Sequence, residues 1–305
     1  MADIHTPIQI GEVLFENRIV MAPMVRFDLT CKNGVMSEKL VNHYVERADK
    51  GIGLIVSQVL SVDKDREIAG GAGAYSEEHI DYLSCIASEC RKNGTRFFAQ
   101  LGLPGFAFYD KNTRDVNLLS VKEMEIIRDN FIQAAENCKK AGLDGVELHG
   151  AHTFFLNMVS SSISNQRTDD YGGSQEKRFF LAKQIVAGIK EFSGNDFIVS
   201  YRMGWCVDEE EDVSTANLLE HMGVDMLHVS SGIPSDRVFN LPENYGYEST
   251  VFAASRIKQK TGIPIIAVNR IDTIARGNRL IEDGCCDFAA YGRPLLNDKN
   301  FVNIN

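Results

Sequence analysis

Two histidines three residues apart, His149 and His152, stand at the end of the apolar run "GVELHG" (Gly145–Gly150). Imidazoles at this spacing can donate hydrogen bonds to a ligand, or can bind a metal ion together with a third ligand such as Glu147. A purely structural pair is a further interpretation. His149 acting as the base of an isomerase or lyase that handles a phosphorylated metabolite is another.

Other apolar runs of the chain also end in polar side chains. A lone Gln or Ser at such a position usually satisfies structural hydrogen bonds, but polar ends on so many runs favour a polar ligand. Arg202 is a permanent cation suited to an anion or an electron-rich ring edge. Gln100 can donate and accept at once, as an amide-like heterocycle requires. The remaining polar ends are Gln58, Ser230, Ser231, Asn269 and Arg293.

Eight such apolar runs alternate with polar loops and helical patterns, which predicts a (β/α)8 TIM barrel in a single domain over residues 1–305. The runs are Arg18–Met24, Gly53–Val59, Arg96–Leu101, Gly145–Gly150, Phe197–Gly204, Met226–Gly232, Pro264–Arg270 and Phe288–Pro294. Chemistry in this fold collects at the carboxyl ends of the strands. The short segment after the eighth run predicts a shortened C-terminal helix.

Helix signals between the runs agree with this architecture. Ser76 and Ser174 stand at N-cap positions, and Ser120 with Glu123 forms a possible capping box. No G-x-G-x-x-G follows the first run, which disfavours a dinucleotide-binding Rossmann fold. Loops after strands seven and eight are the usual phosphate site of such barrels, so Asn269 and Arg293 suggest a phosphorylated heterocycle across the mouth.

Composition narrows the class of partner. The net charge is −10, without a cluster of Lys and Arg, which argues against nucleic acid and against an anionic membrane surface. The seven cysteines show no CxxC spacing and are expected to be free thiols in a reducing cytoplasm. The N-terminal residues show no signal peptide, and no apolar run is long enough for a membrane span. We therefore predict a cytoplasmic protein with a small-molecule substrate, and leave homo-oligomer formation open.

Several stretches resemble the Old Yellow Enzyme family of flavin-dependent oxidoreductases, from about residue 5 to about residue 300. They are "FENRIVMAPM", "HGAHTFFLNMVSSSISNQRTDDYGGSQEKRFFLAKQIV", "YRMG", "HVSSG" and "YGRPLLND". The resemblance implies a TIM barrel that holds FMN. It also implies reduction of an activated C=C bond, in an α,β-unsaturated carbonyl compound, with hydride taken from NADH or NADPH and passed on through flavin N5.

The resemblance also implies roles for single residues. His149 and His152 would be catalytic, donating hydrogen bonds to the carbonyl oxygen of the substrate, and no metal is expected. Arg202 would lie near flavin N1 and O2, where reduced flavin concentrates negative charge. The implied cofactor-binding residues are Pro23, Met24, Gln58, Gln100, Arg202, Ser231, Gly232, Asn269, Gly292 and Arg293.

The chain departs from the family pattern around the substrate. Phe154 stands where the family places a tyrosine that donates a proton, and Tyr109, Tyr245 and Tyr247 are candidate substitutes from loop position. The substrate pocket is predicted to be apolar and lined by Val25, Phe27, Leu103 and Phe154. The departure at Phe154 favours an alternative, a flavin-binding barrel that serves as an electron carrier or binding protein without C=C reduction.

Three further segments are given no catalytic role. Arg167 with Asp169 and Asp170 is predicted to brace a loop. The acidic run Asp208–Asp212 is predicted to be a solvated loop. His228 is interpreted as a core histidine or one that supports the site from behind.

Overall fold

The structure is a computed structural model that describes residues 2–104 and 115–304. Its framework is a set of parallel strands. Tyr109 therefore lies outside the described residues. The barrel strands are β3 (Ile19–Met21), β4 (Leu54–Ser61), β6 (Arg96–Gly102), β7 (Gly145–Gly150), β8 (Ile198–Gly204), β9 (Met226–Ser230), β10 (Ile265–Val268) and β11 (Phe288–Tyr291). Each lies within or overlaps one of the apolar runs, so the predicted barrel is confirmed.

Pairing between β3 and β4 closes the sheet into a barrel, and a short ninth strand, β5 (Ala72–Gly73), pairs with the end of β4. A two-stranded antiparallel hairpin, β1 (Ile8–Ile10) and β2 (Val13–Phe15), precedes the barrel. Phe15 of this hairpin packs edge-on against Phe98 and Phe288. These rings belong to the apolar cluster that fills the barrel interior.

Side chains alternate between the interior of the barrel and the layer under the helices. On β6, Phe98 belongs to the interior apolar cluster, and Gln100 follows on the same face. On β8, Ile198 belongs to that cluster, and Arg202 follows four positions later. The interior is thus apolar at its base and polar toward the carboxyl ends of the strands, where Gln100 and Arg202 lie.

Helices cover the barrel. They are α1 (Glu38–Val45), α2 (Ile80–Lys92), α3 (Val121–Lys140), α4 (Phe155–Ser160), α5 (Gln175–Arg178), α6 (Phe180–Ser193), α7 (Glu209–His221), α8 (Ser249–Lys258), α9 (Ile274–Glu282), α10 (Arg293–Asn297) and α11 (Phe301–Ile304). Ser76 caps a 3₁₀ turn, Glu77–His79, that leads into the predicted helix, and Ser174 caps a four-residue helix that precedes a longer one. Ser120 and Glu123 form the predicted capping box of α3. Two short helices, α10 and α11, follow the last strand, consistent with the expected short final unit.

The prediction of a solvated loop at Asp208–Asp212 is wrong. Asp208 is the N-cap of α7 and accepts a hydrogen bond from the Glu211 backbone N–H, and the acidic residues that follow form the first turn. Negative charge at a helix N-terminus is favoured by the helix dipole. Asp212 is buried and pairs with Arg237 at 2.7 Å. Spacing alone did not reveal this partner, which lies in a later loop.

The Arg167 loop behaves largely as predicted. Arg167 is buried and bonds to Asp169 and to the backbone carbonyls of Val116 and Leu119. Asp170 pairs instead with Lys177 at the surface. The seven cysteines are free thiols, as expected. Within the described ranges, no helix has the length and apolar character needed to cross a membrane.

Candidate active site

Three aromatic rings meet at the carboxyl end of β7. His149 and His152 approach edge to face, with their ring centroids 5.3 Å apart. Phe154 stacks on His149 at 4.0 Å between centroids, with the planes 20° apart. In the register of β7 and β8, His149 lies directly opposite Arg202. The structure therefore brings the predicted histidine pair, the predicted cation and the departure at Phe154 into one cluster.

A left-handed backbone turns His152 back toward the neighbouring strands. His152 has φ 56° and Thr153 has φ 62°, values uncommon for residues other than glycine. The backbone N–H of His152 donates to the Ser231 carbonyl at 3.0 Å. Its Nε2 lies 2.7 Å from the Ser230 hydroxyl oxygen, which accepts from Arg202 Nη2 at 3.2 Å and can donate its own proton to the imidazole. Ser230 thus connects the cation to the second histidine.

Both histidines are held neutral by their surroundings. Burial, with the charge of Arg202 nearby, lowers the pKa of His152 to about 2 and keeps the pKa of His149 well below its ordinary range. Burial also lowers the pKa of Arg202 to about 10, which leaves the guanidinium charged at neutral pH. Among the described residues, the buried Nδ1 of His149 and Nε of Arg202 have no hydrogen-bond partner. Such orphaned atoms at a strand end are suited to a polar ligand.

Hydrogen bonds fix the side-chain amides of the two predicted glutamines in opposite orientations. Gln58 accepts a hydrogen bond at Oε1 from the Arg26 backbone N–H, 3.1 Å away, so its NH₂ group is left to donate. Gln100 donates from Nε2 to Glu147 Oε1 at 2.8 Å, so its Oε1 is left to accept. Both side chains are buried. One donor and one acceptor together match a heterocycle edge that carries adjacent C=O and N–H groups.

Glu147 is committed to partners below the mouth. Its second oxygen, Oε2, lies 2.8 Å from Nδ1 of His228, and both side chains are fully buried. The carboxylate is therefore engaged away from the histidine pair. Among the residues the structure describes, no group of three His, Cys, Asp or Glu side chains could hold a metal ion.

The residues predicted for the phosphate come from neighbouring strand ends. A Cβ on Gly232 would lie 2.0 Å from the Trp205 carbonyl oxygen, so only glycine fits there. Asn269 has φ 103° and donates to Thr250 Oγ1 at 3.3 Å. Gly292 lies against Met24, because a Cβ there would be 3.2 Å from the methionine sulfur. Arg293 follows as an exposed residue at the start of α10.

The predicted pocket residues do not share one surface. Val25 is half-buried, whereas Phe27 is 70% exposed. Leu103 follows the end of β6 and is buried in the same apolar cluster as Leu101. Phe154 stacks on a predicted catalytic residue, His149. Pro23, predicted to face the cofactor, is buried.

Sequence reasoning did not assign the polar residues beneath the mouth. The sequence alone indicates Glu147 as a possible metal ligand, His228 as a core or supporting histidine, and Ser230 as a polar strand end. Their alternation with interior core residues places them inside the barrel: Met226 of β9 is in the interior cluster, and His228 and Ser230 follow at two-residue spacing. That alternation was the available signal.

Comparison with known proteins decides the family. Residues 3–304 match the NADH:flavin oxidoreductase / NADH oxidase family. The chain belongs to this family. It is 32% identical to the NADH oxidase of Thermoanaerobacter brockii over 321 residues, which covers 95% of this chain and 48% of that protein. It is 28% identical to the NADPH dehydrogenase of Bacillus subtilis (strain 168), covering 98% of this chain and 93% of that protein.

A solved structure agrees on the fold. The Old Yellow Enzyme homologue from Zymomonas mobilis superposes with a TM-score of 0.82 at 20% identity, covering 99% of this chain and 92% of that one. The chain thus spans about half the length of one similar relative and nearly all of others. Membership of the family gives FMN as the cofactor and NAD(P)H as the reductant.

The donor set of the site fits FMN. The free NH₂ of Gln58 and the free carbonyl of Gln100 complement the adjacent C=O and N–H groups of an isoalloxazine ring. Arg202 supplies a fixed positive charge with an unpartnered Nε, which suits a ring that becomes anionic on reduction.

Proposed function

We propose that this protein is an FMN-dependent oxidoreductase that reduces a C=C bond conjugated to a carbonyl group, at the expense of NAD(P)H. The observation that carries the proposal is the pair of neutral histidines, His149 and His152, beside the Arg202 cation. A pair of imidazole N–H donors at this point can hold one carbonyl oxygen. FMN, when bound, supplies the hydride transfer from NAD(P)H to an electron-poor carbon.

Neutral imidazoles are well suited to this task. Hydrogen bonds from His149 and His152 to the substrate oxygen withdraw electron density from the conjugated double bond and stabilise the enolate that forms as the β-carbon is reduced. Burial makes these bonds stronger than they would be in water. Because burial and Arg202 hold the pKa of both rings low, the donors do not lose or gain a proton across the neutral range.

The proton that completes the reduction, taken up at the α-carbon of the enolate, has no donor at Phe154. The phenyl ring stacked on His149 cannot protonate the enolate, so solvent or another acid has to do so. A missing general acid slows a reaction by about 10² to 10⁴. Tyr247 is engaged elsewhere, since its hydroxyl donates to the Arg276 carbonyl at 3.2 Å. We therefore expect slow reduction of simple enones.

A direct test uses the FMN-loaded protein without oxygen. NADH or NADPH should bleach the flavin absorbance, and cyclohexenone should then restore it and yield cyclohexanone. The double variant H149A/H152A should still bind FMN and bleach, but should lose the restoration by enone. Failure of the wild-type protein to bind FMN, or bleaching that only oxygen reverses, would overturn the proposal.

Phe154 supports a second candidate, a flavin-binding barrel with another redox role. In that case the reduced protein passes electrons to an acceptor other than an alkene, as an electron carrier does. The same experiment separates an ene-reductase from an electron carrier. If enones do not reoxidise the reduced protein but a one-electron acceptor such as ferricyanide does, the electron carrier is favoured.

A further inference from the structure

We propose that Glu147 is a positioning residue for the FMN ring, which fixes the Gln100 amide with its carbonyl oxygen presented to the cofactor. The inference rests on the proposed function, because FMN is the ligand concerned. It goes beyond that function because it assigns a role to a buried carboxylate that takes no part in hydride transfer or in binding the substrate oxygen.

Glu147 is a buried acid whose two oxygens each bond to a protein side chain and not to solvent. Its side chain is fully buried, and its two oxygens bond separately to Gln100 Nε2 and His228 Nδ1, each at 2.8 Å. Burying a carboxylate costs several kcal/mol unless it is paired and hydrogen-bonded. If position 147 contributed only packing, an apolar side chain would do so without this cost.

The charge of Glu147 decides which way the Gln100 amide faces. Burial alone would raise the pKa of this carboxyl, but His228, Arg202 and the Gln100 hydrogen bond together lower it, so the group is ionised. An ionised carboxylate accepts hydrogen bonds and donates none. The amide of Gln100 therefore has to turn its NH₂ to Glu147, and its oxygen points away from the carboxylate.

Because the Gln100 oxygen then faces the ligand, the ligand has to supply a hydrogen-bond donor. The oxidised isoalloxazine ring carries a single N–H, at N3, so methylation of N3 removes the group that an accepting Gln100 needs. A Gln100 held only by packing could rotate by half a turn and present its NH₂ instead. Discrimination between FMN and 3-methyl-FMN thus reports the orientation of this amide.

The experiment measures the dissociation constants of FMN and 3-methyl-FMN by flavin fluorescence for the wild-type apoprotein and for Glu147→Gln. Wild type should prefer FMN by about 10- to 100-fold, the value of one hydrogen bond to a buried acceptor. In Glu147→Gln the neutral amide can donate or accept, so it no longer dictates the sense of Gln100. We expect the preference to fall to about threefold or less.

Two further variants keep the result decisive. Glu147→Leu removes the carboxylate without leaving a polar group and should lose the preference as well. Asp144→Asn is the matched control, because Asp144 is a buried acid at the opposite end of β7 that pairs with Arg96 at 3.1 Å. It should lower thermal stability while leaving the preference at the wild-type value.

A wild-type preference retained by either folded Glu147 variant would overturn the proposal. Complete loss of FMN binding by folded Glu147 variants, while Asp144→Asn still binds FMN, would support the proposal more strongly than a reduced preference. A wild-type protein that binds no FMN would overturn the proposed function itself, and the inference with it.

Discussion

The phenyl ring of Phe154 lies flat on the imidazole of His149, 4.0 Å between centroids. A hydroxyl on the outer edge of that ring would add the only group the proposed reaction lacks. We expect Phe154→Tyr to raise the turnover of cyclohexenone by about 10²-fold or more, because a general acid contributes about 10² to 10⁴. The measurement is the anaerobic rate of flavin reoxidation by the enone.

Phe155→Tyr is the matched control for this change. Phe155 is the next residue, but its ring belongs to the core between the barrel and the helices. The same added hydroxyl should give no gain in turnover there. Equal rates for wild type and a folded, FMN-loaded Phe154→Tyr would contradict the assignment of Phe154 to the position of the proton donor.

Arg202 is expected to set the reduction potential of the flavin. A buried cation stabilises the anionic reduced ring, so replacing it by an uncharged side chain should make reduction harder. For Arg202→Met we expect a potential at least about 30 mV lower, which is tenfold for a two-electron couple. Arg202→Lys should recover part of the difference. The potentials come from titration against a reference dye, and an unchanged value in Arg202→Met would exclude this role.

Arg167 is expected to contribute to stability and not to the site. Its guanidinium is buried and bonds to Asp169 and to two backbone carbonyls, so its loss leaves these acceptors unpaired. Arg167→Ala should lower the free energy of unfolding by about 2 to 4 kcal/mol, chiefly because two backbone carbonyls lose their donor. Lys177→Ala removes the exposed pair with Asp170 and should cost at most about 1 kcal/mol. Urea unfolding measures both, and equal costs would refute the structural role.

His43 is expected to destabilise the fold in mild acid. Burial, together with the nearby Arg47 and Arg26, lowers its pKa from an ordinary 6.5 to about 3. Between those values the unfolded chain binds a proton that the folded chain does not, so stability present above pH 6.5 is lost as the pH falls. One such group changes the free energy of unfolding by at most about 1.4 kcal/mol per pH unit.

The measurement compares urea unfolding at about pH 7 and about pH 5.5 for wild type and for His43→Gln. The variant should show a smaller loss of stability between the two, by up to about 1.3 kcal/mol. His5→Gln, at an exposed position, should match wild type. A pH dependence that is identical in His43→Gln and wild type would contradict the expectation.

The barrel could be predicted because its signals are local. Apolar runs bounded by turn residues mark strands buried on both faces, and capping residues such as Ser120 mark helix starts. The hairpin of β1 and β2 was missed because strands of three residues carry too little pattern. The acidic run at Asp208 was misassigned because its buried partner, Arg237, lies in a distant loop.

The site was predictable only in part. Strand ends and family resemblance together indicate His149, Gln100 and Arg202, which the structure places toward the carboxyl ends of three neighbouring strands, β6, β7 and β8. The contact between Glu147 and His228 spans 81 residues of chain, and no spacing rule indicates such a pair. The orientation of each glutamine likewise depends on its partner, which becomes visible only when the strands are side by side.

The most direct test of the proposed reaction follows a labelled hydride. The FMN-loaded protein would reduce cyclohexenone without oxygen, using NADH or NADPH deuterated at both C4 positions, and the product would be analysed by mass spectrometry and NMR. We expect cyclohexanone with one deuterium at the β-carbon and a solvent-derived hydrogen at the α-carbon. Cyclohexenol, label at any other carbon, or no product despite full reduction of the flavin would contradict reduction of the double bond at His149 and His152.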